Sequence, residues 1–173
     1  MRIEINKIIS GNILDIGGGG EGIIGQAYKD QVTAIDNRQE ELDEAPTGFK
    51  KLLMDASCMT FDNESFDNVT AFYSFMYMKN KVQEAVIMEA ARVLRSKGQF
   101  HIWDGEIDSA YPSPYVVELD IDLYGKHVHT SYGIIKDNGE QNAEFFIELC
   151  KKAKLNLIEC KNVDKHFYIL LEK

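Results

Sequence analysis

Three aspartates stand at comparable points of three short apolar runs: Asp15 in ILDI, Asp36 closing VTAID and Asp55 after KLLM. A carboxylate at the carboxyl end of a strand can accept hydrogen bonds from a pair of ribose hydroxyls or hold a cation. Beside the first lie four consecutive glycines, Gly17 to Gly20, whose missing side chains let a ligand approach the backbone. Any one of these aspartates reads equally well as a helix cap or turn former. Three of them, following three successive apolar runs, read together as one binding site.

The loop itself, NILDIGGGGEGIIG over Asn12 to Gly25, contains G-x-G-x-x-G at Gly17, Gly19 and Gly22, the pattern of a dinucleotide clamp. A pyrophosphate there would depend on backbone amides and a helix N-terminus. Glu21 stands where its two negative charges would go, and Asp15 is close by. The charges instead suit a ligand that carries cations and no phosphate. S-adenosylmethionine, with an ammonium, a sulfonium and a ribose, meets that description. A nicotinamide-dependent oxidoreductase is disfavoured by the same two acids and by the lack of a separate substrate domain.

These residues require strands to present them. Asn12–Ile16, Val32–Asp36, Lys51–Ala56, Asp67–Ser74 and Gln99–Trp103 read as five strands, with a helix beginning at Gly22–Tyr28. Lys79 to Leu94 repeats Val82, Val86, Ala90, Val93 and Leu94 at helical spacing, and Ser96-Lys97-Gly98 should close it with glycine in a left-handed turn. Glu140–Lys152 is a further helix with Phe145, Phe146 and Leu149 inward. Two last strands, Leu155–Cys160 and His166–Leu171, are joined by a short polar turn and should be antiparallel. Strands alternating with helices imply right-handed βαβ units. The expected fold is α/β, a Rossmann-like doubly wound sheet of seven mostly parallel strands with an antiparallel C-terminal hairpin.

At 173 residues and 45% hydrophobic the chain suffices for one domain. A net charge of −9 argues against nucleic acid, and Lys151-Lys152-Ala153-Lys154 reads as a solvated helix end. Cys58, Cys150 and Cys160 are odd in number and form no C-x-x-C, so buried thiols in a reducing, cytoplasmic setting are expected. No apolar run has the length of a membrane span and no signal peptide is evident.

The chain resembles the class I S-adenosylmethionine-dependent methyltransferases, in particular the small-molecule type exemplified by the ubiquinone/menaquinone C-methyltransferases. The resemblance rests on LDIGGGGEG, VTAIDNRQEEL, DASCMTFDNESFDNV and EAARVLRSKGQF. It is close over Asn12 to Phe100 and loose beyond. It implies that Asp15, Gly17, Gly18 and Gly19 approach the methionine part of the cofactor. Asp36 would hold the ribose with Asn37 beside it, Asp55 and Ala56 would flank the adenine, and Phe72 and Tyr73 would line the sulfonium side. The family's usual third glycine is Glu21 here, with glycine one residue later at Gly22.

Glu106 to Asn138 is the most individual stretch. After the stiff connector Tyr111-Pro-Ser-Pro-Tyr115, VVELDIDL and HVHTSYGII each alternate, predicting an inserted β-hairpin about Tyr124-Gly125 with Glu118, Asp120 and Asp122 facing Lys126, His127 or His129. His127, His129 and Tyr132 could be an acceptor-site base or metal ligands. Cross-strand partnership is the simpler reading, since histidines two apart share a face on any strand. Tyr73 is a further catalytic candidate. No metal cluster and no N-P-P-Y-like motif is seen. Relatives carry a longer helical lid before the glycine loop, whereas only Met1 to Gly11 precede it here. The hairpin, or a partner subunit, is therefore expected to take the lid's place, and the hairpin could also join two copies as a homodimer. Removing 108–137 should leave cofactor affinity largely intact while abolishing acceptor turnover. The expected activity is methyl transfer to a small-molecule acceptor; the alternative is a non-catalytic subunit that binds the cofactor.

Overall fold

The computed structural model describes residues 2–5, 9–108, 112–135 and 141–173. Its strands are β1 (Arg2–Glu4), β2 (Ile13–Ile16), β3 (Val32–Asp36), β4 (Lys50–Leu53), β5 (Phe66–Phe72), β6 (Leu94–Gly105), β7 (Tyr115–Leu123), β8 (Lys126–Ile134), β9 (Asn156–Val163) and β10 (His166–Glu172). The α-helices are α1 (Ile23–Tyr28), α2 (Gln39–Glu44), α3 (Asn80–Val93) and α4 (Ala143–Lys152). Seven strands form the main sheet in the order β4-β3-β2-β5-β6-β10-β9. β2 to β6 are parallel neighbours, while β10 runs antiparallel to both β6 and β9. The carboxyl ends of β2, β3, β4, β5 and β6 thus point the same way. The strand order reverses at β2, where ligands of such sheets bind.

The two faces of the sheet are covered differently. On one, α3 and α4 pack Val86, Ile87, Ala90, Phe146 and Leu149 against Leu14, Val69, Phe100 and Ile169. On the other, Ile23, Ile24 and Tyr28 of α1 share a core with Leu119, Ile121 and Leu123 of β7. The predicted hairpin is present, with Tyr124 and Gly125 at φ 54° and 89°, as a two-residue primed turn requires. Its register places Asp120 opposite His129 and Asp122 opposite His127.

An unforeseen strand completes it. β1 pairs in parallel with β7, Ile3 opposite Ile121, giving a separate three-stranded sheet. Burial of Ile3 and Ile5 anchors this segment.

Several predicted boundaries move. The third main-sheet strand ends at Leu53, opposite Asp36, so Met54 to Ala56 leave the sheet as a loop. The turn after α3 is left-handed at Lys97 (φ 64°), and Gly98 is not. Glycine is required at 98 for space: a Cβ there would lie 2.8 Å from the Arg95 carbonyl oxygen and 3.0 Å from that of Asp67. Leu94 is already extended and pairs with Phe66, which lengthens the fifth strand backwards across a bulge. α4 is capped by Asn142, whose side chain accepts from the Phe145 amide at 2.8 Å. Within it Phe146 and Leu149 are buried and Phe145 is only half-buried. The predicted start at Glu140, Tyr111 of the connector and the end of the 106–138 insertion lie outside the described residues. Of the cysteines only Cys150 is buried; Cys58 and Cys160 are exposed.

Candidate functional site

A cleft of about 650 Å³ opens at the carboxyl ends of β2 to β5. It is walled by the glycine loop, the turns after β3 and β4, the segment after β5, the first half of α3, and Tyr132 from β8.

The loop is bent into a cradle by its own backbone. The amides of Gly17 and Gly18 both donate to the Ile35 carbonyl, at 2.9 and 3.2 Å, and that of Gly20 to the Glu41 carbonyl at 2.8 Å. Gly17 has φ 70°, and a Cβ on it would fall 2.5 Å from that of Ser74. Gly22 sits at the start of α1 in the left-handed region, φ 53° and ψ 46°, and a Cβ there would meet the Phe49 ring at 2.8 Å. Glycine falls at position 22 for these two reasons, and position 21 is released for a side chain.

That side chain is a tether. Glu21 Oε1 accepts from the Thr130 hydroxyl at 2.6 Å, and the Tyr132 hydroxyl bonds the same carboxylate. Lys126 Nζ reaches Gln26 Oε1 at 2.6 Å. The hairpin is thereby fastened to the glycine loop and the helix that follows it.

The three aspartates hold different positions. Asp15 is buried and accepts from Thr70 Oγ1 at 2.7 Å. Burial pushes its carboxyl up to about 7, against the Thr70 hydrogen bond and with a smaller push from Asp36. A cation beside it would restore the charge. Asp36, closing β3, turns one oxygen to the Arg38 amide at 3.0 Å. Its other oxygen, Oδ2, approaches Gly19 across the loop. Asp55 accepts from the hydroxyl and amide of Ser57, at 2.7 and 2.8 Å, both on Oδ1. Those bonds, the hydroxyl's first, hold its carboxyl below the usual range. At Asp36 and Asp55 one oxygen serves the turn, and both residues line the cleft.

Phe72 and Tyr73 end β5. Tyr73 is buried at φ 47°, stacks on Tyr132 with ring centroids 5.4 Å apart, and shares a 2.8 Å hydrogen bond with His166 Nδ1. Burial raises the Tyr73 and Tyr132 hydroxyls above the ordinary phenol range and lowers His166. Asp15, Gly17, Gly18, Gly19, Asp36, Asn37, Asp55, Ala56, Phe72 and Tyr73 all line the one cleft. His127 and His129 do not. They alternate with Val128, Thr130 and Tyr132 and so lie on the outer face of the hairpin, exposed, with His129 Nδ1 2.8 Å from Asp120. Tyr132, grouped with them on spacing, faces the cleft instead.

The sequence did not single out Ser74, Tyr77 or Met78, which also line the cleft, nor Thr130. Ser74 Oγ is buried without a hydrogen-bond partner among the described residues. Asp104, fully buried at the end of β6, accepts from the Met76 amide at 3.2 Å and from Gln141 Nε2 at 2.7 Å. Gln83 Nε2 in turn donates to Gln141 Oε1 at 2.9 Å and to the Phe75 carbonyl at 2.9 Å. This network fixes the segment after β5 that carries Ser74 to Met78. Its signal was the same one used for Asp36, an acid at the end of an apolar strand, here FHIWD.

The residues fit S-adenosylmethionine on two observations: a buried carboxyl facing the loop whose charge a cation would restore, and a partnerless Ser74 hydroxyl on the same wall.

No curated protein sequence matches the chain. Solved structures share its fold. An S-adenosylmethionine-dependent methyltransferase from Methanosarcina mazei is similar at TM-score 0.63 and 18% identity, over 94% of this chain and 92% of that one. Another from Mesorhizobium loti is similar at TM-score 0.66 and 12% identity, over 94% and 90%. The Burkholderia thailandensis 1,6-didemethyltoxoflavin-N1-methyltransferase, solved with 1,6-didemethyltoxoflavin and S-adenosylhomocysteine bound, gives TM-score 0.62 and 14% identity, over 94% and 71%. The family model described as the methyltransferase domain matches residues 14–102, just over half of the chain. The chain belongs to that family, the class I S-adenosylmethionine-dependent methyltransferases.

Proposed function

We propose that the protein transfers a methyl group from S-adenosylmethionine to a small-molecule acceptor, as a single domain in which the hairpin within 106–138 serves as the lid. One observation carries this reading: the ten residues expected around the cofactor converge on one cleft, which is also lined by Tyr132 of a hairpin tied to the glycine loop.

When bound, the cofactor supplies a methyl group already activated on a sulfonium. The chain's own work is to bind, orient and exclude water. Asp15 and the backbone of Gly17 to Gly19 take the amino-acid end, where the ammonium keeps Asp15 ionised. Asp36 accepts the ribose hydroxyls, with Asn37 beside it. Asp55 and Ala56 flank the adenine. The rings of Phe72 and Tyr73 wall the reacting side, and Tyr132 stacked on Tyr73 covers it. Holding two reactants in line can supply about 7–11 kcal/mol of rate enhancement in favourable cases. An acceptor that must lose a proton would also need a base. His127 and His129 lie on the hairpin's outer face and are not proposed for that role. The net charge of −9 argues against a nucleic-acid acceptor.

The reading is tested by screening metabolite mixtures for release of S-adenosylhomocysteine. Thermal-shift assays with S-adenosylhomocysteine and NAD run alongside. A shift with the first alone and product release from at least one mixture is the expected result. A shift with NAD alone would overturn the cofactor, and binding with no release from any mixture would favour the non-catalytic subunit.

A further inference from the structure

Behind Tyr73, on the side away from the cofactor cleft, lies a second cavity of about 220 Å³. Its walls are β1 (Arg2 to Glu4, with Ile5), Tyr28 at the end of α1, Trp103 on β6, and the facing residues of β9 and β10. Tyr73 is the partition: it lines both spaces.

The chemistry of this cavity differs from that of the cleft. Four aromatic rings converge on it, Tyr28, Tyr73, Trp103 and Tyr168, and the last two lie 4.9 Å apart and tilted by 35°. Such spacings are those at which aromatic rings interact favourably, beyond the area they bury. The volume exceeds the roughly 150 Å³ of an engineered apolar cavity that takes up benzene, so a single substituted ring fits. Among the described residues the two rim cations, Arg2 and Lys161, each have acidic neighbours. Arg2 meets Glu4 at 3.6 Å and Asp122 at 3.4 Å, and Lys161 meets Glu159 at 2.6 Å. A carboxylate or phosphate would therefore gain little here. Among the described residues the wall also carries His166, which spends Nδ1 on Tyr73 and has a second ring nitrogen, Nε2. Burial lowers its pKa, so at neutral pH the ring is uncharged.

We propose that this cavity is a binding site for a neutral planar aromatic molecule bearing one hydroxyl or ring nitrogen, which packs against Trp103 and Tyr168 and bonds His166. The site is separate from the cofactor cleft and touches it only through Tyr73, so occupancy can be read independently of methyl transfer. It goes beyond the proposed activity and does not depend on it.

Trp103 is the single tryptophan of the chain, so its indole N–H gives one cross-peak in a proton–nitrogen correlation spectrum of the labelled protein. Titration with 4-methylphenol, in protein saturated with S-adenosylhomocysteine to keep the probe out of the cleft, should move that peak saturably. 4-Methylcyclohexanol, of similar outline but without a ring face, should move it at least about fivefold less. Val163→Phe, at an exposed position on the rim, should abolish the response while the S-adenosylhomocysteine thermal shift stays as in the wild type. An unmoved peak, an equal response to both probes, or an undiminished response in Val163→Phe would each overturn the proposal. Failure of S-adenosylhomocysteine to raise the melting temperature would strike at the cofactor reading instead, and the titration without it would still decide the cavity.

Discussion

The glycine-loop half of the chain and the hairpin half are organised by different ranges of interaction. From β2 to β6 successive strands pair in parallel except at one crossover, where the chain leaves β4 at the sheet edge and returns as β5 beside β2. Asp36 and Phe72 close their strands, Asp15 lies one residue before the end of β2, and Asp55 lies two residues beyond β4. In the second region β1 pairs with a strand more than a hundred residues away, Ile3 opposite Ile121. Glu21 of the loop is likewise held by Thr130 of the hairpin. The first half builds a cofactor cradle out of local rules. The second is tied to the glycine loop and the helix after it through contacts that no local pattern announces.

This contrast can be broken most forcefully in the cradle. Asp36→Ala removes the carboxylate proposed to accept the ribose hydroxyls, at about 1.5–3 kcal/mol for a hydrogen bond to a charged group. S-adenosylhomocysteine affinity by calorimetry should fall about 10- to 100-fold, and most of its thermal shift should vanish. An unchanged affinity would dissociate the strand-end aspartates from the cofactor.

Asp15 gives a prediction with a sign. Its folded pKa of about 7 lies above the model-compound 3.8. The folded apoprotein therefore keeps a proton that the unfolded chain releases, and stability contributed by that proton is lost as pH rises from about 4 to about 7. Three units at about 1.36 kcal/mol each set an upper bound near ~4 kcal/mol. Asp15→Asn should raise the melting temperature of the apoprotein at pH 8 and weaken S-adenosylhomocysteine binding. In the wild type, affinity should grow between pH 6 and pH 8 as the carboxylate forms. A flat affinity profile would remove Asp15 from the ammonium site.

The hairpin is probed by a smaller change. Deleting 108–137 no longer serves, because Val117, Leu119, Ile121 and Leu123 belong to the core shared with β1 and α1. The excision would expose that core and damage the fold along with the lid. Thr130→Val keeps the shape and loses only the bond to Glu21. Backbone amides of β8 should then exchange hydrogen about tenfold faster, with S-adenosylhomocysteine affinity within about threefold of wild type. A large loss of affinity would make the hairpin part of the cradle. The smallest effect is expected from His129→Ala, whose partner Asp120 is solvent-exposed and whose pairing is screened. Neither melting temperature nor any acceptor turnover should change measurably, and a loss of turnover would restore His129 to the active site.

The sequence by itself determined the main sheet, its mostly parallel course, the antiparallel C-terminal pair and ten of the residues that line the cleft, though not Ser74, Tyr77 or Met78. These depend on hydrophobic period, on glycines where the backbone turns and on acids at strand ends, all local properties of the chain. It also placed the hairpin and its turn, because a period of two and a primed turn are local signals. Of the expected facing pairs Asp120 meets His129 and Asp122 meets His127, whereas Glu118 faces Ser131 and Lys126 faces Leu123. It could not say which face of the hairpin would meet the cleft. Burial against α1 and β1 selected the face carrying Thr130 and Tyr132, and that choice parted Tyr132 from His127 and His129. Nor could it explain Glu21 and Gly22. Gly22 answers to its left-handed backbone and to Phe49, Glu21 to a hydroxyl 109 residues away. Only the tertiary structure brings those partners together, since pairing across such separations is decided by what the whole core buries.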